Sequence, residues 1–192
     1  MVKTDQMCNS LKVTEGTNDE EILVTRHSQF QTPINIVNVY GEQECRTSKE
    51  KLEENWESVL TILNEIDRKG ECAILLGDLN KHIEREITKN PNDKITFGGR
   101  LLLELLDTDR YKLINGTEVE QGGPYTRYDP SSPNDDEKKS ILDLFIVSKN
   151  LCKYIDNLYI DKDLKFTPAN PTNKRLIFTD HYSCLLTLKT FH

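Results

Sequence analysis

Between residues 34 and 78 the chain spells out a strand, a helix and a second strand, and nothing else in it restricts the fold as much. Residues 34–40 alternate apolar and polar side chains with the period of two that a half-buried strand requires. Thr47-Ser48-Lys49-Glu50 reads as a capping box, with Thr47 accepting from the backbone at Glu50 and the Glu50 carboxylate reaching back. Leu52, Trp56, Val59, Leu63 and Ile66 then recur at steps of three and four, the apolar stripe of an amphipathic helix, which Gly70 closes. Residues 72–76 are apolar throughout and deliver Gly77-Asp78. Such a unit lays a helix across a sheet and collects polar groups at the strand ends.

The rest of the chain continues the pattern. Residues 21–25, 111–114, 141–147 and 183–188 read as strands, 99–107 as a second helix, and 124–128 as a short strand or turn. Segments 85–96, 129–138 and 161–175 are rich in Asn, Asp, Pro and Lys and read as loops. No internal repeat or low-complexity linker divides the 192 residues, so one mixed α/β domain, 1–192, is expected, with helices outside a strand-rich centre.

The longest apolar runs are far too short to span a bilayer, and residues 1–5 show no leader pattern, so an intracellular protein of nucleus or cytoplasm is expected, with no membrane partner. The five cysteines are scattered and never in C-x-x-C spacing, which supports neither a disulfide framework nor a zinc site. Cys72 and Cys184 lie in strand-like runs where a buried thiol is the ordinary reading. The net charge of −7 weighs against a basic nucleic-acid face, but carboxylates that bind a cation add negative charge the cation cancels.

Three stretches carry chemical groups within or beside apolar runs: Gly77-Asp78-Leu79-Asn80, Ser140-Ile141-Leu142-Asp143-Leu144-Phe145, and Thr179-Asp180-His181-Tyr182. Hydrolysis of a phosphodiester needs an activated water, an electrophile on the phosphoryl oxygens and help for the departing oxygen. Asp78 can orient or deprotonate the water. Asn80 shares its face if the strand continues, and can donate to an attacking or non-bridging oxygen. The same four residues also suit an ordinary turn. Asp143 interrupts an apolar strand, where a carboxylate is costly unless paired, and His181 is the obvious partner. An Asp–His couple fixes the imidazole tautomer and favours its charged form, whether its task is structural or catalytic. Asp180 reads as a second cation-facing carboxylate or as a turn residue. Trp56 reads as core, and Arg127, Lys138 and Lys139 read as phosphate contacts or solvated loop charge.

In order and in strand context, these motifs resemble those of the endonuclease/exonuclease/phosphatase superfamily, which includes abasic-site endonucleases, pancreatic-type deoxyribonucleases and the endonuclease domains of non-LTR retrotransposons. Gly77-Asp78-Leu79-Asn80 and Thr179-Asp180-His181 match the family's wording. Ser140 to Phe145 resembles its third motif, with Leu144 where Tyr or His is usual. Tyr40 resembles the active-site tyrosine, followed here by Gly41-Glu42 in place of proline and asparagine. Gly98-Gly99-Arg100 before a Leu-rich helix, the strand up to Asn115, and the segment from Gly123 to Tyr128 look most like retrotransposon endonucleases.

The resemblance implies a four-layer α/β/β/α sandwich of the deoxyribonuclease type and a DNA endonuclease working with one or two Mg²⁺ or Mn²⁺ ions. It assigns Asp78 to water activation and to metal binding, Asn80 to transition-state hydrogen bonding and substrate, and Asp143 to orienting His181. His181 takes a phosphate contact or acid–base role, Asp180 a metal-related role, Tyr40 a place in the active site and Arg127 a substrate contact. The family's first strands, which carry an Asn and a Gln-Glu pair with the principal metal ligand, are not legible among the 39 residues before Tyr40. Asn9 and Glu15 are the nearest stand-ins. A fold incomplete at its N-terminus, weakly held metal, and a catalytically inactive remnant as the alternative to an enzyme are the expectations that follow.

Overall fold

A computed structural model describes residues 22–28, 30–83, 94–132, 135, 138–166 and 180–189. Strands β1 (Ile22–His27) and β2 (Ile34–Val39) are followed by α1 (Lys49–Arg68), β3 (Cys72–Asp78), α2 (Phe97–Asp107) and β4 (Tyr111–Leu113). After these come β5 (Glu120–Gln121), β6 (Asp143–Ser148), a 3₁₀ turn (Lys149–Tyr154), β7 (Ile155–Ile160) and β8 (Cys184–Leu188).

Two sheets form. The larger has the order β1-β2-β3-β6-β4, and the smaller has β5-β7-β8. β2 and β3 are parallel, joined by α1 as the crossover, whereas β6 runs antiparallel to both β3 and β4. The alternation along β3 and β6 explains why both read as unbroken apolar runs: each is buried on two faces. Ala73, Leu75, Leu144 and Ile146 point to the helices, where they meet Trp56, Val59, Leu63 and Ile66 of α1 and Leu102 and Leu105 of α2. Cys72, Ile74, Phe145 and Val147 point to the other sheet and pack with Ile155 and Leu158, against which Leu186 and Leu188 also rest. Helices, sheet and sheet supply three of the four expected layers; a second helical layer is not among the described residues.

Several local expectations shift. The cap of α1 is Ser48, not Thr47: the Ser48 side chain accepts from the Lys51 amide at 3.3 Å, while the Thr47 hydroxyl donates to Glu42 at 2.9 Å. With Ser48 as the cap the third helical residue is Lys51, whose side chain has no acceptor to return a bond, so a single cap replaces the expected box while Thr47 is engaged with Glu42. α2 begins two residues earlier than the periodicity suggests, since the Thr96 hydroxyl accepts from Gly99 at 3.1 Å and so caps the turn containing Gly98-Gly99. β7 was not apparent in the sequence. Its exposed Asp156 and part-buried Asn157 break the apolar alternation, although Ile155, Leu158 and Ile160 are buried.

Candidate active site

The site is made by strand ends. β3 and β6 pair so that Asp78 lies directly opposite Asp143. Two like charges facing each other across a ladder repel, and the structure places an imidazole against both. His181 Nδ1 lies 2.8 Å from Asp143 Oδ2, and His181 Nε2 lies 3.7 Å from Asp78 Oδ2. The Asp143 hydrogen bond, followed by the Asp143 and Asp78 charges, raises the His181 pKa against the opposing effect of burial. Burial is the first cause, and the Asp143 charge the second, that raises the Asp78 pKa above the usual carboxylate range. An imidazole between two carboxylates that favour its charged form, one of those carboxylates with enhanced basicity, is acid–base equipment.

Glycines let the strand ends come this close. Gly77 has φ +126°, and a Cβ there would stand 2.2 Å from the Val39 carbonyl oxygen. A Cβ on Gly41 would stand equally close to the Leu79 carbonyl oxygen. The Gly41 amide donates to the Asp78 carbonyl at 2.7 Å, stitching the end of β2 to the end of β3. Asn80 arrives differently from the sequence expectation. The strand stops at Asp78, and Asn80 adopts a left-handed φ of 49°, a conformation Asn tolerates better than most residues. Its side-chain amide donates to the Gly41 carbonyl at 2.7 Å, and its backbone amide donates to Asp78 at 3.2 Å.

All seven candidate residues line one cleft of about 730 Å³: Tyr40, Asp78, Asn80, Arg127, Asp143, Asp180 and His181, with Glu44, His82 and Thr96 on the same walls. Tyr40 is largely exposed. Arg127 and Asp180 meet each other, Nε to Oδ2 at 3.1 Å, with both side chains well exposed. Thr179 lies outside the described residues, as do Asn9 and Glu15. Lys138 pairs with Asp129 at 3.7 Å, and Trp56 is core.

Two buried residues at the site were not singled out in the sequence. The Asn115 side chain donates to the Asp143 carbonyl at 3.1 Å and accepts from the Phe145 amide at 2.7 Å. The Thr126 hydroxyl accepts from the amides of Leu142 and Asp143, both at 3.0 Å. Their only signal was position, each within a stretch of family-like wording.

The donor set does not make a metal site unaided. Among the described residues no group of three or more His, Cys, Asp or Glu side chains is placed to hold an ion. The carboxylates of the cleft already have protein partners: Asp143 and Asp78 face His181, Asp180 faces Arg127, and Glu44 accepts from the amides of Phe97 and Gly98 at the start of α2.

Layer order and cleft define a protein with the deoxyribonuclease-like fold of the endonuclease/exonuclease/phosphatase type. Solved structures that share it include the catalytic domain of APE2 from Xenopus laevis, at 15% identity and a TM-score of 0.62, covering 89% of this chain and 56% of that one. The 3'-5' exonuclease NExo from Neisseria meningitidis matches at 16% identity and a TM-score of 0.62, over 94% of this chain and 70% of its own; a Neisseria NExo structure is also known bound to a product DNA hairpin. The endonuclease domain of TRAS1, a telomere-specific non-LTR retrotransposon, matches at 18% identity and a TM-score of 0.59, over 93% and 67%. The chain thus spans little more than half the length of the APE2 domain. No protein-family model matches the chain, and no curated protein matches it. Among the described residues no helix is long and apolar enough to cross a membrane.

Proposed function

We propose that this chain is a nuclease-type phosphodiesterase acting on DNA as one domain, 1–192, of the kind found in retrotransposon-like elements. The observation that supports it best is the register that sets Asp78 opposite Asp143 with His181 reaching both. Asp143 accepts from Nδ1–H, so the ring is held with Nε2 directed to the cleft. In its charged form, favoured by the raised pKa, His181 donates from Nε2 to a phosphoryl or departing oxygen. Asp78, a stronger base than an ordinary carboxylate because of its burial, takes a proton from the attacking water. Asn80 keeps one amide hydrogen on Gly41 and has a second to offer a phosphoryl oxygen. Arg127 contacts substrate phosphate when it leaves Asp180, and Asp180 is then free to face a cation.

Mg²⁺ or Mn²⁺ belongs to this proposal as weakly bound, because such an ion keeps several waters and leans on one or two carboxylates, and here Asp78 and Asp180 already face His181 and Arg127. The test is cleavage of duplex DNA by the purified chain with each metal. Activity should fall by roughly 10²–10⁴-fold in His181→Ala, with Asp143→Ala parallel but weaker. Undiminished cleavage by His181→Ala overturns the assignment. One observation favours a second reading, a binding domain without catalysis: each carboxylate of the cleft already faces a partner within the protein. Saturable DNA binding with no cleavage under either metal is the outcome that selects it.

A further inference from the structure

We infer that Thr126 is a positioning residue, the joint that fixes Asp143 relative to His181. The inference rests on the reading of Asp143 and His181 as the working pair. These residues lie 38 positions apart and on different segments, so their 2.8 Å contact needs something that holds both. The segment 126–128 is the common neighbour. On one side, the amides of Thr126 and Arg127 donate to the Ser140 carbonyl at 3.0 and 2.9 Å, and the Ser140 amide donates back to Arg127 at 3.1 Å. On the other, the Tyr182 amide donates to the Thr126 carbonyl at 2.7 Å and the Tyr128 amide to the Asp180 carbonyl at 2.8 Å. Arg127 therefore bridges Ser140 and His181 at once.

Thr126 adds a side-chain contact to these backbone links. It is fully buried, and its hydroxyl oxygen uses both lone pairs on the consecutive amides of Leu142 and Asp143, each at 3.0 Å. This sets the backbone of Asp143 just where β6 begins, and Asn115 grips the Asp143 carbonyl from the other direction. Removing the hydroxyl takes the acceptor from two N–H groups, one buried and one part-buried, whereas the backbone link from Thr126 to Tyr182 is independent of side-chain identity. The substitution therefore loosens Asp143 on its amide side, although Asn115 still holds its carbonyl, while the link to the segment of His181 stays.

The test compares Thr126→Val, nearly isosteric but without the acceptor, with Thr126→Ser, which keeps it, by NMR of the substrate-free protein. In the valine variant the amide protons of Leu142 and Asp143 should exchange roughly tenfold faster or more. The hydrogen-bonded Nδ1–H resonance of His181 should weaken or disappear. Thr126→Ser should retain both signatures. A folded valine variant with an unchanged Nδ1–H resonance overturns the inference, and so does a serine variant that loses the resonance as completely. If the valine variant does not fold, Thr126→Ala against Thr126→Ser decides by the same signals, with equal behaviour, or failure of both to fold, counting against the role. No substrate is present, so failure to cleave DNA leaves this result untouched, and the converse holds.

Discussion

Lys81 gives the sharpest quantitative test of how this structure is held together. It follows Asn80 directly, yet only 6% of it is exposed, and its Nζ sits 4.8 Å from the centre of the Trp56 ring. Burial pulls its pKa from the usual 10.5 down to about 8, with the Glu44 charge opposing the drop in part. That difference corresponds to about 3 kcal/mol spent in keeping the ammonium charged in the folded chain below pH 8. The sign follows from proton binding. Between about pH 8 and 10.5 the unfolded chain carries the proton and the folded chain does not, so this group's contribution to stability rises with pH across that window. Lys81→Met keeps the stem against Trp56 and removes the charge. The variant should be more stable than the parent at pH 7, by up to about 3 kcal/mol, and the two should converge toward pH 10.5. Urea unfolding at a series of pH values measures this, and Trp56, the only tryptophan, reports the transition by fluorescence. A stability difference that is independent of pH, or a variant less stable at pH 7, refutes the reasoning.

Other expectations are briefer. Gly77→Ala forces a side chain into the left-handed region and against the Val39 carbonyl oxygen; a loss of about 2–4 kcal/mol is expected, and an unchanged urea midpoint contradicts it. Tyr111→Phe removes a hydroxyl that donates to Asp67 at 2.9 Å and should cost about 1–2 kcal/mol, read from the thermal transition. Calorimetric titration of Mg²⁺ into the chain should show only weak binding, with the described cleft offering no group of three metal-binding side chains; a tight, saturable isotherm would overturn this. Leu63→Ala, at a fully buried contact between α1 and the larger sheet, should cost about 2–5 kcal/mol by urea denaturation.

The sequence by itself determined what is periodic and short in range. The stripe from Leu52 to Ile66 became α1, and the apolar runs before Asp78 and around Leu144 became β3 and β6, because helix and strand formation depend on neighbours a few residues away. The three motif strings were legible for the same reason. Only the tertiary structure decided how they meet. Register, not spelling, sets Asp78 against Asp143, and although the motifs already suggested His181 as the partner of Asp143, only the fold gives that pair its 2.8 Å contact across 38 positions. Thr126 and Asn115 carry no unusual signal as text, since a threonine becomes a clamp only when two amides from residues 142 and 143 converge on it. The Arg127–Asp180 ion pair joins residues 53 positions apart. Contacts of that span are chosen by the packing of two sheets, which has no local period for a sequence to display.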